Sequence, residues 1–164
     1  MSLIPISEAL EHLLEGATVL PAESVALADA WERVLAAPLT ALRTQPPFDA
    51  SAMDGYAVHA ADVSTVPARL KLAGQAAAGH GFRHGVGAGE AVRIFTGAPL
   101  PQGADTVVIP ENVRGLGDGT IGVREATAQG RNIRRAGLDF SQGEPLLERG
   151  RVLDAAALSL AAAA

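Results

Sequence analysis

Two adjacent prolines, Pro46 and Pro47, divide this sequence into stretches of different texture. Each fixes its own φ and lacks a backbone donor, and Pro47 also restricts Pro46, so neither a helix nor an interior strand runs through them. Beyond them, from Met53 to Val123, the apolar residues fall in short β-like runs separated by Gly, Pro and Asp. The runs are Tyr56–His59, Arg69–Leu72, Ala91–Phe95, Thr106–Ile109 and Thr120–Val123. Spacing of this kind predicts a β-rich module without a long helix.

The flanks read differently. Ile6, Leu10, Leu13 and Leu14 fall at helical spacing, with Ser7 as the expected N-cap and Gly16 as the stop. Pro21 precedes a β-like run, Ser24–Leu27. The segment ADAWERVLAAPL then reads as a helix up to Pro38, with Trp31, Val34 and Leu35 on its buried side. Towards the other end, Glu144–Leu147 reads as a strand and Asp154 as the cap of a helix, AAALSLAAAA. No glycine, basic residue or proline closes that helix, so the chain is expected to be cut rather than finished. A β-rich part between two α-containing parts makes an inserted domain the natural picture.

Composition narrows the function classes. At 164 residues the chain holds one domain or two small ones, and 48% hydrophobic residues suffice for a core. Aromatics are only 4%, so that core should be fine-grained. A net charge of −5 argues against a general nucleic-acid binder, which would show a basic face. The absence of cysteine excludes disulfides, thiolate metal sites and cysteine nucleophiles. The N-terminus has no basic region typical of a signal peptide, and no charge-free apolar run reaches the ~18 residues of a membrane span. A soluble cytoplasmic protein is expected, with neither nucleic acid nor membrane as partner.

Chemistry concentrates in a few stretches. PPFDASAMDGYAV sets two carboxylates, Asp49 and Asp54, among small residues, with Asp54-Gly55 as a tight-turn signal ahead of a strand. Loop carboxylates of this kind serve metal, phosphate or acid–base sites, or are merely solvated turn residues. The glycine-rich AAAGHGFRHGVGAGE has neither Gly-Lys-Ser/Thr nor GxGxxG, so it reads as a loop or hairpin crossing. His80 and His84 have metal-compatible spacing but no third ligand nearby in sequence. His12, among Glu8, Glu11 and Glu15, reads as part of a solvated helix face. In VRIFTGAPLPQGADTVVIPENV, Thr96 at a strand end either offers its hydroxyl to an anion or ties down the turn. In GRNIRRAGLDF, the forks of Arg131, Arg134 and Arg135 suit phosphate or carboxylate, and surface pairing with nearby acids is equally open.

Taken together and in this order, PPFDASAMDGYAV, VRIFTGAPLPQGADTVVIPENV and GRNIRRAGLDFSQGE closely resemble the N-terminal part of the molybdopterin molybdenumtransferases, the MoeA-type family related to the gephyrin E domain. The resemblance implies an α+β fold: an elongated α/β N-terminal domain interrupted by an inserted β-rich domain. On this sequence the discontinuous domain takes residues 1–45 and 141–164, and the insert takes residues 46–140. The family acts in molybdenum cofactor biosynthesis, inserting molybdate into adenylylated molybdopterin with release of AMP. It uses a divalent cation, Mg2+, and works as a homodimer in which the β-rich domain of one protomer faces the pterin-binding domain of the other.

Carried across by motif, the family's activity implicates Asp54, Thr96 and Asp139 as catalytic positions. Asp54 and Asp139 are further candidates for holding Mg2+ or orienting its water, and Arg134 and Arg135 for offsetting substrate phosphate. Leu138 stands where the family has a glutamate, which puts the local charge in doubt. The family's pterin-binding and C-terminal domains would follow Ala164, so a chain of this length is expected to be inactive alone. The alternative is a non-catalytic dimerisation or binding module that kept the scaffold. Retention of Asp54, Thr96 and Asp139 favours the enzyme.

Overall fold

The computed structural model describes residues 4–164. They divide into two compact units, one taking residues up to Pro38 with Glu148–Ala163, the other taking Leu39–Leu147 with Ala164.

The first unit holds both α-helices. Helix α1 spans Ile6–Leu14 and α2 spans Ala155–Ala163. Asp154 caps α2 as its sequence predicts: its Oδ1 accepts from the Ala157 amide at 2.8 Å. Ser7 does not cap α1. The N-cap is Pro5, which makes no side-chain cap bond, and its carbonyl accepts from the Ala9 amide at 3.0 Å. His12 lies 4.0 Å from Glu8 and 3.9 Å from Glu15 on an exposed face. The apolar stripe of α1 is uncovered among the described residues, with Ile6 89% and Leu13 81% exposed.

Two expectations for the following segment fail. Ser24–Ala26 belongs to no strand, and Leu27–Asp29 is a single 3-10 turn. The ADAWERVLAAPL segment is not a helix, and Trp31 and Val34 are more than half exposed rather than buried. Glu32 has a φ of 59°, outside helical space. The backbone groups find partners elsewhere: the Glu32 and Leu35 amides donate to the carbonyls of Leu153 and Arg151 at 3.0 Å, and Val34 bridges Val152. Pairing with a distant segment here overrides local helix preference.

The second unit contains all ten strands. They are β1 (Leu39–Thr40), β2 (Ala50–Ser51), β3 (Gly55–Val58), β4 (Ala68–Ala76), β5 (Glu90–Ile94), β6 (Thr106–Val108), β7 (Val113–Gly115), β8 (Thr120–Val123), β9 (Ile133–Arg134) and β10 (Pro145–Leu147). The five runs expected from the sequence are β3, β4, β5, β6 and β8. Six strands form one mixed sheet in the order β6-β3-β5-β4-β8-β7. Only β4 and β5 run parallel. The glycine-rich stretch is therefore no hairpin. It is the crossing between two parallel neighbours, with Val86 buried and Phe82 packed against the core. Strands β1 and β10 pair apart from this sheet, as do β2 and β9.

The β6-β3-β5 part of the sheet is buried on both faces. Because side chains alternate along a strand, Ala57, Val92, Ile94 and Val107 build one apolar cluster, while Val58, Ala91, Val108 and Val123 build another. Two-sided burial explains why the strands read as continuous small apolar runs rather than as clean alternation. Valine and alanine fill most of both clusters, the fine-grained core that the composition predicts. Among the described residues no helix is long and apolar enough to cross a membrane.

Candidate active site

Three segments distant in sequence meet beside the β3–β6 end of the sheet. Strand β2 pairs with β9, placing Ala50 opposite Arg134 and Ser51 opposite Ile133. On its other side the Ser51 amide donates to the Ala98 carbonyl at 3.0 Å, and the Gly97 amide donates to the Ser51 carbonyl at 2.9 Å. The Asn132 side chain donates to the Val107 carbonyl at 2.8 Å. Backbone and amide bonds thus join the stretches around Asp54, Thr96 and Asp139 into one frame.

Asp54 stands immediately before β3. Its Oδ1 accepts two hydrogen bonds from Thr96, one from the backbone amide and one from the hydroxyl, each at 2.9 Å. The Thr96 amide, then its hydroxyl, and to a lesser degree the charge of Arg93 hold this carboxyl below the usual aspartate range. Asp54 is accordingly ionised at neutral pH. Its Oδ2 meets no donor among the described residues. A hydroxyl has a single proton, and that of Thr96 is directed to Asp54. In this arrangement Thr96 orients the carboxylate and presents only lone pairs outward.

The turn before Asp54 is fixed from behind. Buried Ser51 donates its hydroxyl to the Met53 carbonyl at 2.6 Å. Gly55 is not the left-handed turn residue that Asp-Gly suggests; it is the first residue of β3, and its value lies in having no side chain. A Cβ there would fall 2.3 Å from the Val108 carbonyl oxygen and 2.8 Å from a Val107 methyl. Close backbone approach, rather than a special φ, requires glycine.

Asp139 and Arg134 form an ion pair. One guanidinium nitrogen of Arg134 donates to both carboxylate oxygens, at 2.6 and 2.8 Å. Arg135 pairs instead with Asp49 at 2.5 Å, and the other oxygen of Asp49 accepts from the Ala136 amide at 2.9 Å. The Ala136 amide, then Arg135, holds the Asp49 carboxyl below its ordinary range. Both arginines thus engage acids, one of which, Asp49, the sequence reading left without a role. The loop that carries them is tied to the proline entry through the Gly137 and Asp139 amides, which donate to the Pro46 and Gln45 carbonyls. The structure therefore brings Asp54 to Thr96 and Asp139 to Arg134, while Arg135 goes to Asp49.

A cleft of about 550 Å³ opens beside this frame, lined by Met53, Ile109, Asn112, Glu125, Thr127 and Arg131 among others. None of Asp54, Thr96 and Asp139 lines it. Its walls come from residues without a recognisable spacing, so no pattern in the sequence points to it.

The donor set can be tested against a divalent cation. Among the described residues no group of three or more His, Cys, Asp or Glu could hold a metal, and His80 and His84 belong to none. Both Asp139 oxygens already accept from Arg134. Asp54 keeps one exposed oxygen, which fits a single ligand of a hydrated Mg2+, an ion that takes one or two carboxylates and retains several waters.

The sequence matches the MoeA N-terminal region (domain I and II) over residues 4–164. This chain belongs to that family. It is 39% identical over 140 residues to a molybdopterin molybdenumtransferase of Haemophilus influenzae, covering 85% of this chain and 34% of the relative. It is 38% identical to one of Synechococcus elongatus, covering 98% of this chain and 41% of the relative. The crystal structure of a molybdopterin biosynthesis moeA protein from Pyrococcus horikoshii superposes with a TM-score of 0.90 at 34% identity, covering 99% of this chain and 44% of that one. The mixed sheet with few helices is therefore the fold of this family's N-terminal region. The chain spans less than half the length of these relatives.

Proposed function

We propose that this chain forms one wall of a site for molybdenum cofactor biosynthesis, at which molybdate is inserted into adenylylated molybdopterin and AMP is released. The observation that carries this reading is the Asp54–Thr96 couple: an ionised carboxylate fixed by two donors on one oxygen, with the other exposed. Asp118 takes the same two bonds from Thr120, but its other oxygen is paired with Arg69, whereas that of Asp54 is left open to a ligand.

In this reading Asp54 directs its free oxygen towards a water or cation at the reacting phosphate, and Thr96 keeps it from rotating. When bound, Mg2+ would supply charge neutralisation at phosphate oxygens, with Asp54 as one ligand. Arg134 and Arg135 each use one nitrogen on an acid here, and a guanidinium has five donors in all. Their remaining N–H groups offset phosphate charge, and Asp139 holds Arg134 in place. The test is direct. The protein encoded by the complete reading frame, given adenylylated molybdopterin, molybdate and Mg2+, should release AMP and yield metal-bearing cofactor. A folded protein that leaves the adenylylated substrate intact would overturn the reading.

The opposite wall, in the same proposal, belongs to a second copy. The uncovered apolar stripe of α1 supports this, because contiguous exposed apolar surface marks an interaction site. A dimer mass is expected by light scattering at micromolar concentration, reduced to a monomer by Leu10→Glu with Leu13→Glu. A monomer without those changes would exclude the homodimer.

A further inference from the structure

We propose that Arg93, which no motif singles out, is the positioning residue that fixes the Asp54–Thr96 couple. The inference rests on the functional reading of that couple, and its geometry is independent of it. Arg93 lies on β5 directly opposite Tyr56 of β3, in an antiparallel pair. Its guanidinium sits 5.0 Å from the ring centroids of both Tyr56 and Phe95. One nitrogen donates to the Gly55 carbonyl at 3.0 Å.

These contacts fall on both arms of the couple. Gly55 and Tyr56 directly follow Asp54, and Phe95 directly precedes Thr96. A single planar cation therefore grips the chain just after the carboxylate and just before its two donors. Arginine suits this place because its fork donates in plane while its faces stack on aromatic rings. Lysine offers neither the plane nor the fork. Half-buried Arg93 has no acid partner among the described residues, so its charge also acts on the nearby Asp54 carboxylate. Residues at both ends of the hydrogen bonds are thereby locked without Arg93 needing to touch substrate.

The test uses the intact protein and two readouts. In Arg93→Met, which keeps the stem and removes the fork, the Thr96 amide resonance should shift upfield and exchange with deuterium about tenfold faster. This readout requires no activity, so it decides the geometry even if Asp54→Asn leaves turnover unchanged, a result that would sink only the functional reading. In the insertion assay, Arg93→Met should lower kcat about tenfold with KM within about twofold, the signature of a lost transition-state arrangement. Combined with Asp54→Asn it should cost nothing further, because Arg93 acts through Asp54. An unchanged Thr96 amide, or the same tenfold loss in both backgrounds, would overturn the proposal. Should Arg93→Met fail to fold, Arg93→Lys is subjected to the same pair of measurements and the same criteria.

Discussion

On the proposed function, Asp54→Asn in the protein encoded by the complete reading frame should lower molybdate insertion by about 100- to 1,000-fold, the usual cost of removing one preorganised electrostatic group, while leaving the fold intact. The substitution conserves shape. Its amide oxygen still accepts from the Thr96 amide and hydroxyl that now hold Oδ1 at 2.9 Å. What disappears is the negative charge on the exposed oxygen. Thr96→Val makes the complementary change, keeping the charge and the backbone donor and removing the hydroxyl. Its loss should be smaller, about tenfold, since one of two bonds to a charged acceptor survives. Turnover of the purified variants, with thermal unfolding as the control for folding, checks both. Unchanged turnover in Asp54→Asn would remove this carboxylate from the mechanism.

Gly55→Ala should be the most damaging single-methyl addition near the site. The added carbon would lie 2.3 Å from the Val108 carbonyl oxygen, and that oxygen belongs to β6, which cannot swing away like a flexible side chain. Relief requires β3 and β6 to separate, and both carry residues of the two core clusters. A loss of about 3 kcal/mol is expected, at the upper end of overpacking costs, with a fall of roughly 10 °C in melting temperature. Gly115→Ala is the control, because a Cβ at Gly115 meets nothing within 4 Å. Equal stability of the two variants would show that the β3–β6 approach does not require glycine at position 55.

Activity and stability are expected to respond separately because the site sits at the margin of the sheet. Asp54 and Thr96 are exposed, whereas the residues immediately behind them, Ser51, Ala57 and Ala98, are buried. Such placement gives a rigid base for side chains that themselves face solvent.

The sequence alone determined five strands of the β-rich part, the cap at Asp154, and the family, because each of these depends on local spacing or on contiguous motifs. Runs of small apolar residues bounded by Gly and Pro located β3, β4, β5, β6 and β8. It also named Asp54 and Thr96, but as members of separate motifs. Their meeting needs β3 and β5 to be antiparallel neighbours, and strand order is a long-range property that no local pattern encodes. The same limit explains the failed helix before Pro38. Trp31, Val34 and Leu35 have helical spacing, yet the backbone groups of Glu32, Arg33 and Leu35 bond to residues more than a hundred positions away. Two-residue strands such as β2 and β9 show no period to detect, and they are what bring Arg134 and Asp139 to the frame. Pairing across the fold also gave Asp49 its arginine, Gly55 its reason for being glycine and Arg93 its grip on both arms of the couple, because each depends on groups that only the folded chain brings within contact distance.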